Sequence, residues 1–181
     1  GFSRAYEELR PALLAALREL GCESAAVAGH SLGAALASLA MLDLRAGLGL
    51  PVDTAYSFGK PRVGNGAYVA AFREAAVKQG LDTMSWRVVH YRDAVPRLPT
   101  RSILDPYVHE MHEVYYDSRD SSFFRECEFD GDLVSGSEDP TCSWAVPLAG
   151  CINQDHLHYL NKSFAHKTMD PKCTGMPSLV V

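Results

Sequence analysis

The chain has no excess of positive charge. Its 181 residues carry 17 Lys and Arg against 22 Asp and Glu, a net charge of −5. Nucleic-acid binding depends on neutralising phosphates, so this balance argues against nucleic acid as a main partner. No apolar run reaches the roughly 20 residues of a membrane-spanning helix, and no signal-peptide pattern is present. The first residue is Gly rather than Met. That predicts a processed product or a fragment, from which an address signal can have been removed. Internal repeats, low-complexity tracts and interdomain linkers are also missing. Hydrophobic residues make up 47% and charged residues 22%, an ordinary globular balance. The length suits one domain, residues 1–181, with a substantial core.

Cysteine is scarce and odd in number. There are five: Cys22, Cys127, Cys142, Cys151 and Cys173. Cys142 and Cys151 flank a short loop containing Pro and Gly, and form the expected disulfide. Such a pair predicts an oxidising compartment, secreted or lumenal, over a cytoplasmic one. Asn161-Lys162-Ser163 is a glycosylation sequon, usable only under the same condition.

One stretch organises the rest. Ala25 to Ala28 are small or β-branched and suit a short strand buried on both faces. The following AALASLAMLDL favours a helix. Between them lies Gly29-His30-Ser31-Leu32-Gly33, a G-x-S-x-G. On a strand-turn-helix corner this pattern is a nucleophile elbow. Ser31 is expected in a strained backbone conformation that lifts its hydroxyl clear of the sheet. Gly29 and Gly33 leave room for neighbouring backbone. The helix's first amides and its positive end would face a developing oxyanion.

Around this corner the chain alternates. Ser3 is a candidate cap for a helix to Leu20, with Leu9, Leu13, Leu17 and Leu20 on one face and Pro11 either kinking it or starting a second segment. Asp53 to Phe58 reads as a strand, Ala67 to Lys78 as a helix closed by Gly80, and Trp86 to Tyr91 as a third strand. This alternation predicts an α/β fold with a parallel sheet. Tyr107 to Tyr116 and Phe123 to Phe129 then predict an antiparallel hairpin about a polar turn. Asp130 to Pro140 reads as a loop, Asp155 to Lys167 as a short helix, and the chain from Met169 as irregular.

A serine nucleophile needs a base to take its proton and an acid to orient that base. Asp93 stands where the chain leaves the third strand, the position expected of the acid. Asp82 lies at the wrong end of that strand, Asp43 is carried away on the elbow helix, and Asp105 is a reserve. Among seven histidines, His30 should point away from Ser31. His90 packs on its strand, His109 and His112 fall in the hairpin, and His166 is near the tail. His156 and His158 have the right chain order, and spacing alone does not separate them.

Taken together, these segments resemble the class 3, fungal-type triacylglycerol lipases. The matching pieces are Gly1-Phe2 with Ala5-Tyr6, GHSLGAALASLA, YSFGKPRVGN at 56–65, VVHYRDAVPRLP at 88–99 and DHLHYL at 155–160. The resemblance implies an α/β-hydrolase fold, a central mostly parallel sheet with flanking helices. It implies Ser31 as nucleophile, Asp93 as acid, His156 as base with His158 in the variable position, and the Leu32 amide as an oxyanion donor. It implies hydrolysis of lipid esters at an oil-water or membrane interface through an acyl-enzyme, with no metal and no cofactor. Phospholipase A1, galactolipase and feruloyl esterase activities belong to similar proteins. In that family Gly-Phe follows several strands, a Ser or Thr supplying another oxyanion donor, and a lid. None of these precedes Gly1 here. The expectation is therefore a missing N-terminal segment, or a second chain, completing the sheet. Losing one oxyanion donor costs about 2.7–4 kcal/mol in the transition state, so a non-catalytic remnant serving as a binding partner is the competing reading.

Overall fold

A computed structural model describes residues 1–77, 85–100, 106–128 and 138–164. Gly80, Asp82, Asp105, His166, Cys173 and the expected irregular tail lie outside the described residues, as does most of the expected loop 130–140.

The chain opens with α1 (Phe2–Leu20), which continues unbroken through Pro11. Its N-cap is Gly1 rather than Ser3, and no side chain caps it. Gly21 closes it in the left-handed conformation, its amide bonded back to Arg18 and Leu17. Leu14 and Leu17 pack on the core, whereas Leu20 is exposed. The buried stripe thus runs through Tyr6, one step round from the expected leucine face. Polar anchoring explains the shift: the Tyr6 hydroxyl and the Arg10 guanidinium both donate to the Asp43 carboxylate.

β1 (Ala25–His30), β2 (Val52–Phe58), β3 (Ser85–His90) and β4 (His112–Tyr116) pair in parallel in that spatial order. β5 (Arg125–Glu126) joins β4 antiparallel. The α/β-hydrolase reading and the C-terminal hairpin hold, though the hairpin is shorter than the sequence suggests. α2 (Leu32–Leu42), prolonged by a wider π-type turn at Asp43–Gly47, links β1 to β2, and α3 (Gly66–Val77) precedes β3.

The strand order has a consequence. Crossovers between parallel strands are right-handed, so a sheet that grows in one direction collects its helices on one face. Met41, Leu44, Val52, Ala55, Phe72 and Met111 form the core between that face and the helices. Ala26 and Ala28 of β1 are exposed instead of buried on both faces. Among the described residues, β1 pairs only with β2. On the second face Tyr56, Phe58, Trp86, Val114 and Phe124 line an open apolar groove of about 350 Å³.

Two C-terminal expectations are corrected. Cys142 bonds to Cys127, and Cys151 is a free thiol. The hairpin turn brings Cys127 within 6.1 Å (Cα–Cα) of Cys142, a span a disulfide can bridge. Cys151 instead ends a short turn, its sulfur near the Pro147 carbonyl. The expected helix from Asp155 is a 3₁₀ turn (Asn153–Leu157) followed by a small hairpin of β6 (His158–Tyr159) and β7 (Lys162–Ser163). Leu160 and Asn161 both take positive φ, which makes a two-residue hairpin turn and stops a helix.

The Asp43 cluster gives a stability prediction. The Arg10 guanidinium holds the Asp43 carboxyl below its ordinary range, against an opposing effect of burial and with help from Tyr6. A depressed carboxylate stabilises the fold above its ordinary value of about 3.9. That stability is lost as pH falls through the folded value. Asp43→Asn should lower the melting temperature at neutral pH by about 2–4 °C. The gap from wild type should shrink below about pH 4, as followed by thermal melts across pH.

Candidate active site

Ser31 sits between β1 and α2 with φ 58° and ψ −122°, a region costly for a residue with a side chain. Its amide donates to the Phe58 carbonyl of the neighbouring strand, at 3.0 Å. Gly29 makes the corner possible: a Cβ there would fall 2.3 Å from the Gly33 carbonyl oxygen. Gly33 faces open space, so the expected crowding applies to Gly29 alone. Leu32 opens α2. Its amide belongs to the first turn, where helix N–H groups lack intrahelical partners.

Asp93 follows the turn after β3 and is buried. Its amide donates to the His90 carbonyl. Oδ1 accepts the Val95 amide at 2.8 Å. Oδ2 lies 2.9 Å from His156 Nδ1. His156 Nε2 lies 2.8 Å from Ser31 Oγ. A carboxylate only accepts, so Nδ1 carries the proton and Nε2 is free to receive that of Ser31. The structure therefore brings Ser31, His156 and Asp93 into one chain of hydrogen bonds. His158 is exposed, with Nδ1 near the Gln154 carbonyl.

The other histidines stand apart from the hydroxyl. His90 bonds to the Asp155 and Arg119 carbonyls. His109 is buried against the Pro96 carbonyl, and His112 opens β4. His30 stacks on His156, with ring centroids 4.6 Å apart. Sequence reasoning set it aside.

Two supporting residues also escaped that reasoning. The Tyr159 hydroxyl donates to Asp93 Oδ2 at 2.5 Å and accepts the His90 amide. Burial, and then the Asp93 charge, push this phenol well above its ordinary value, so it stays a donor. A buried phenol needs a partner, and a Tyr three residues after the candidate base was the available signal. Gly59 has φ +58°, and a Cβ there would meet Asp93 Oδ2 at 2.7 Å and His156 Nδ1 at 2.8 Å. Only glycine lets that carboxylate and imidazole meet.

Beneath the elbow, Lys60 and Glu110 form a fully buried ion pair at 2.8 Å, and Ser38 of α2 donates to the same carboxylate. Arg119 reaches Asp155, beside the candidate base. Arg97 donates to three carbonyls of residues 143–146, fixing the loop that leads to His156. Cys127, Asp139 and Cys142 are the one metal-like grouping among the described residues. Its two sulfurs are joined to each other, so neither offers a thiolate.

Residues 1–103 match the family described as lipase (class 3). This chain belongs to the class 3 lipase family. The secreted mono- and diacylglycerol lipase A of Penicillium camembertii is 34% identical over 155 residues, covering 82% of this class 3 lipase chain and 47% of the relative. Lipase II from Rhizopus niveus has a similar structure, with a TM-score of 0.71 at 27% identity over 90% of this chain and 58% of that one. A triacylglycerol lipase whose catalytic centre is described as a serine protease triad matches with a TM-score of 0.70 and 28% identity, over 90% of this chain and 58% of its own. The class 3 lipase chain thus spans about half the length of the curated relative.

Two substitutions test the supports. Gly59→Ala should cut the labelling rate of Ser31 by a fluorophosphonate at least about 100-fold, because the acid and base are forced apart. Tyr159→Phe should lower kcat about tenfold with KM little changed, since one donor to Asp93 is lost. Steady-state ester hydrolysis measures the second effect.

Proposed function

We propose that this chain carries the catalytic centre of a serine carboxylester hydrolase acting on lipid esters, within one α/β-hydrolase domain. The observation that supports this most is the chain Ser31 Oγ, His156 Nε2, His156 Nδ1, Asp93 Oδ2, each link within 2.9 Å.

Ser31 Oγ attacks the ester carbonyl carbon while its proton passes to His156 Nε2. Asp93 keeps the imidazolium oriented and offsets its charge. The Leu32 amide donates to the oxyanion. The tetrahedral intermediate collapses, and His156 returns the proton to the departing alcohol. A water then gives its proton to His156 and attacks the acyl-enzyme. The fatty acid leaves, and Ser31 Oγ recovers its proton.

The lipid part of the reading draws on the family membership and on the relative's name as a mono- and diacylglycerol lipase. Exposed Leu32, Leu98 and Leu148 offer apolar surface to an oil-water or membrane interface. A secreted location is supported by the Cys127–Cys142 disulfide and the secreted relative. Parallel sheets are normally covered on both faces, which supports a further segment or second chain over the aromatic groove and over the edge of β1 that is unpaired among the described residues.

Fluorophosphonate labelling and acyl-ester hydrolysis test the reading. The native protein should label stoichiometrically and release fatty acid from acylglycerols in preference to phospholipids. Ser31→Ala should abolish labelling and lower hydrolysis at least about 1000-fold. A folded sample that neither labels nor hydrolyses any ester would leave the binding-partner reading in its place.

A further inference from the structure

His30 occupies the variable position of the elbow, and its ring is wedged. One side stacks on the His156 imidazole, 4.6 Å between centroids and 30° between planes. The other lies flat on Phe164, at 4.3 Å and 3°. Tyr159 meets it edge-on at 5.7 Å. His30 Nε2 is 2.7 Å from the His156 carbonyl oxygen. A carbonyl only accepts, so Nε2 carries a proton and donates it. The His156 backbone is thereby held by a residue immediately adjacent to Ser31.

Strand alternation explains the placement. Ala26, Ala28 and His30 share the face of β1 turned from the helices, whereas Ser31 leaves the strand at the corner. The segment with His156 folds onto that face and closes through the Phe164 amide on the Leu157 carbonyl, at 2.7 Å. Among the described bonds, few others tie this segment to β1.

We propose that His30 is a positioning residue for the His156 base: its Nε2–H fixes the His156 backbone, and its ring fixes the imidazole plane, so that Nε2 of His156 stays on Ser31. The inference rests on the hydrolase reading above. His30 must remain uncharged while His156 is an imidazolium, because two cations at stacking distance repel. The groups facing it are His156, Tyr159, Phe164 and the Asp93 charge beyond. Burial of the ring favours the neutral form.

Three substitutions in the complete native polypeptide separate the parts. His30→Gln keeps an N–H donor at similar reach, His30→Phe keeps a flat ring without a donor, and His30→Ala keeps neither. Expected is a kcat about tenfold lower in Phe and lower still in Ala, with KM within about twofold and Gln within about threefold of wild type. The strongly downfield proton resonance of the His156–Asp93 bond should persist in Gln and broaden away in Ala and Phe. Thermal melts identify any variant that does not fold, and the Gln and Phe pair decides if Ala fails. A Phe variant within twofold of wild-type kcat, or a Gln variant as impaired as Phe, overturns the proposal. Retained activity in Ser31→Ala would instead overturn the triad reading on which it stands.

Discussion

The site depends on one buried carboxylate. Asp93 accepts from the Val95 amide, the Tyr159 hydroxyl and the His156 imidazole. Removing a partner from a buried polar group leaves the other to bear its full desolvation cost, about 1–3 kcal/mol and more when charged. Three chain segments therefore converge on Asp93. Its own turn follows β3, Tyr159 and His156 arrive from the C-terminal segment, and Gly59 stays small enough for them to meet. The carboxylate's geometry sets the orientation of His156, and His156 sets the direction in which the Ser31 hydroxyl is bonded.

A second tier keeps these segments from drifting. Glu110 binds Lys60 from the loop after β2 and Ser38 from the nucleophile helix. Buried charges paired in this way do little for net stability compared with apolar replacements. What they supply is a fixed relation between elements. The elbow and the Gly59 loop are thereby joined beneath the Ser31–His156–Asp93 chain. Above them, Arg97 and the Cys127–Cys142 bond restrain the approach of the C-terminal loop.

Much of this was legible in the sequence, and the exceptions have physical reasons. The elbow could be read because its chemistry is local: strand, glycine, strained serine and helix lie within a dozen residues. Asp93 could be singled out because it stands where the chain leaves a strand. His156 and His158 could not be separated by spacing, since the choice is made by a 3₁₀ turn and a two-residue hairpin that aim one ring inward. That hairpin depends on positive φ at Leu160 and Asn161; Asn tolerates that conformation but Leu does not favour it, so turn chemistry gave only half a sign of it. Tyr159 was missed, and His30 set aside, because both contact other side chains rather than the Ser31 hydroxyl. Cys127 was missed because its pairing depends on the hairpin's fold, while Cys151 only looked closer along the chain.

The wide separation of Ser31 and His156 along the chain shapes the order in which their contact can form. Ser31 is held by its own neighbours, but the imidazole bonded to its hydroxyl lies 125 residues later. A chain emerging from the ribosome builds from its N-terminus. It can thus form the β1–α2 corner and the first parallel strands before His156 is in reach of the serine. The hydrogen-bonded chain is completed when the last described hairpin closes over His30. Whatever chemistry these groups support thus waits on the folding of a segment distant from the serine.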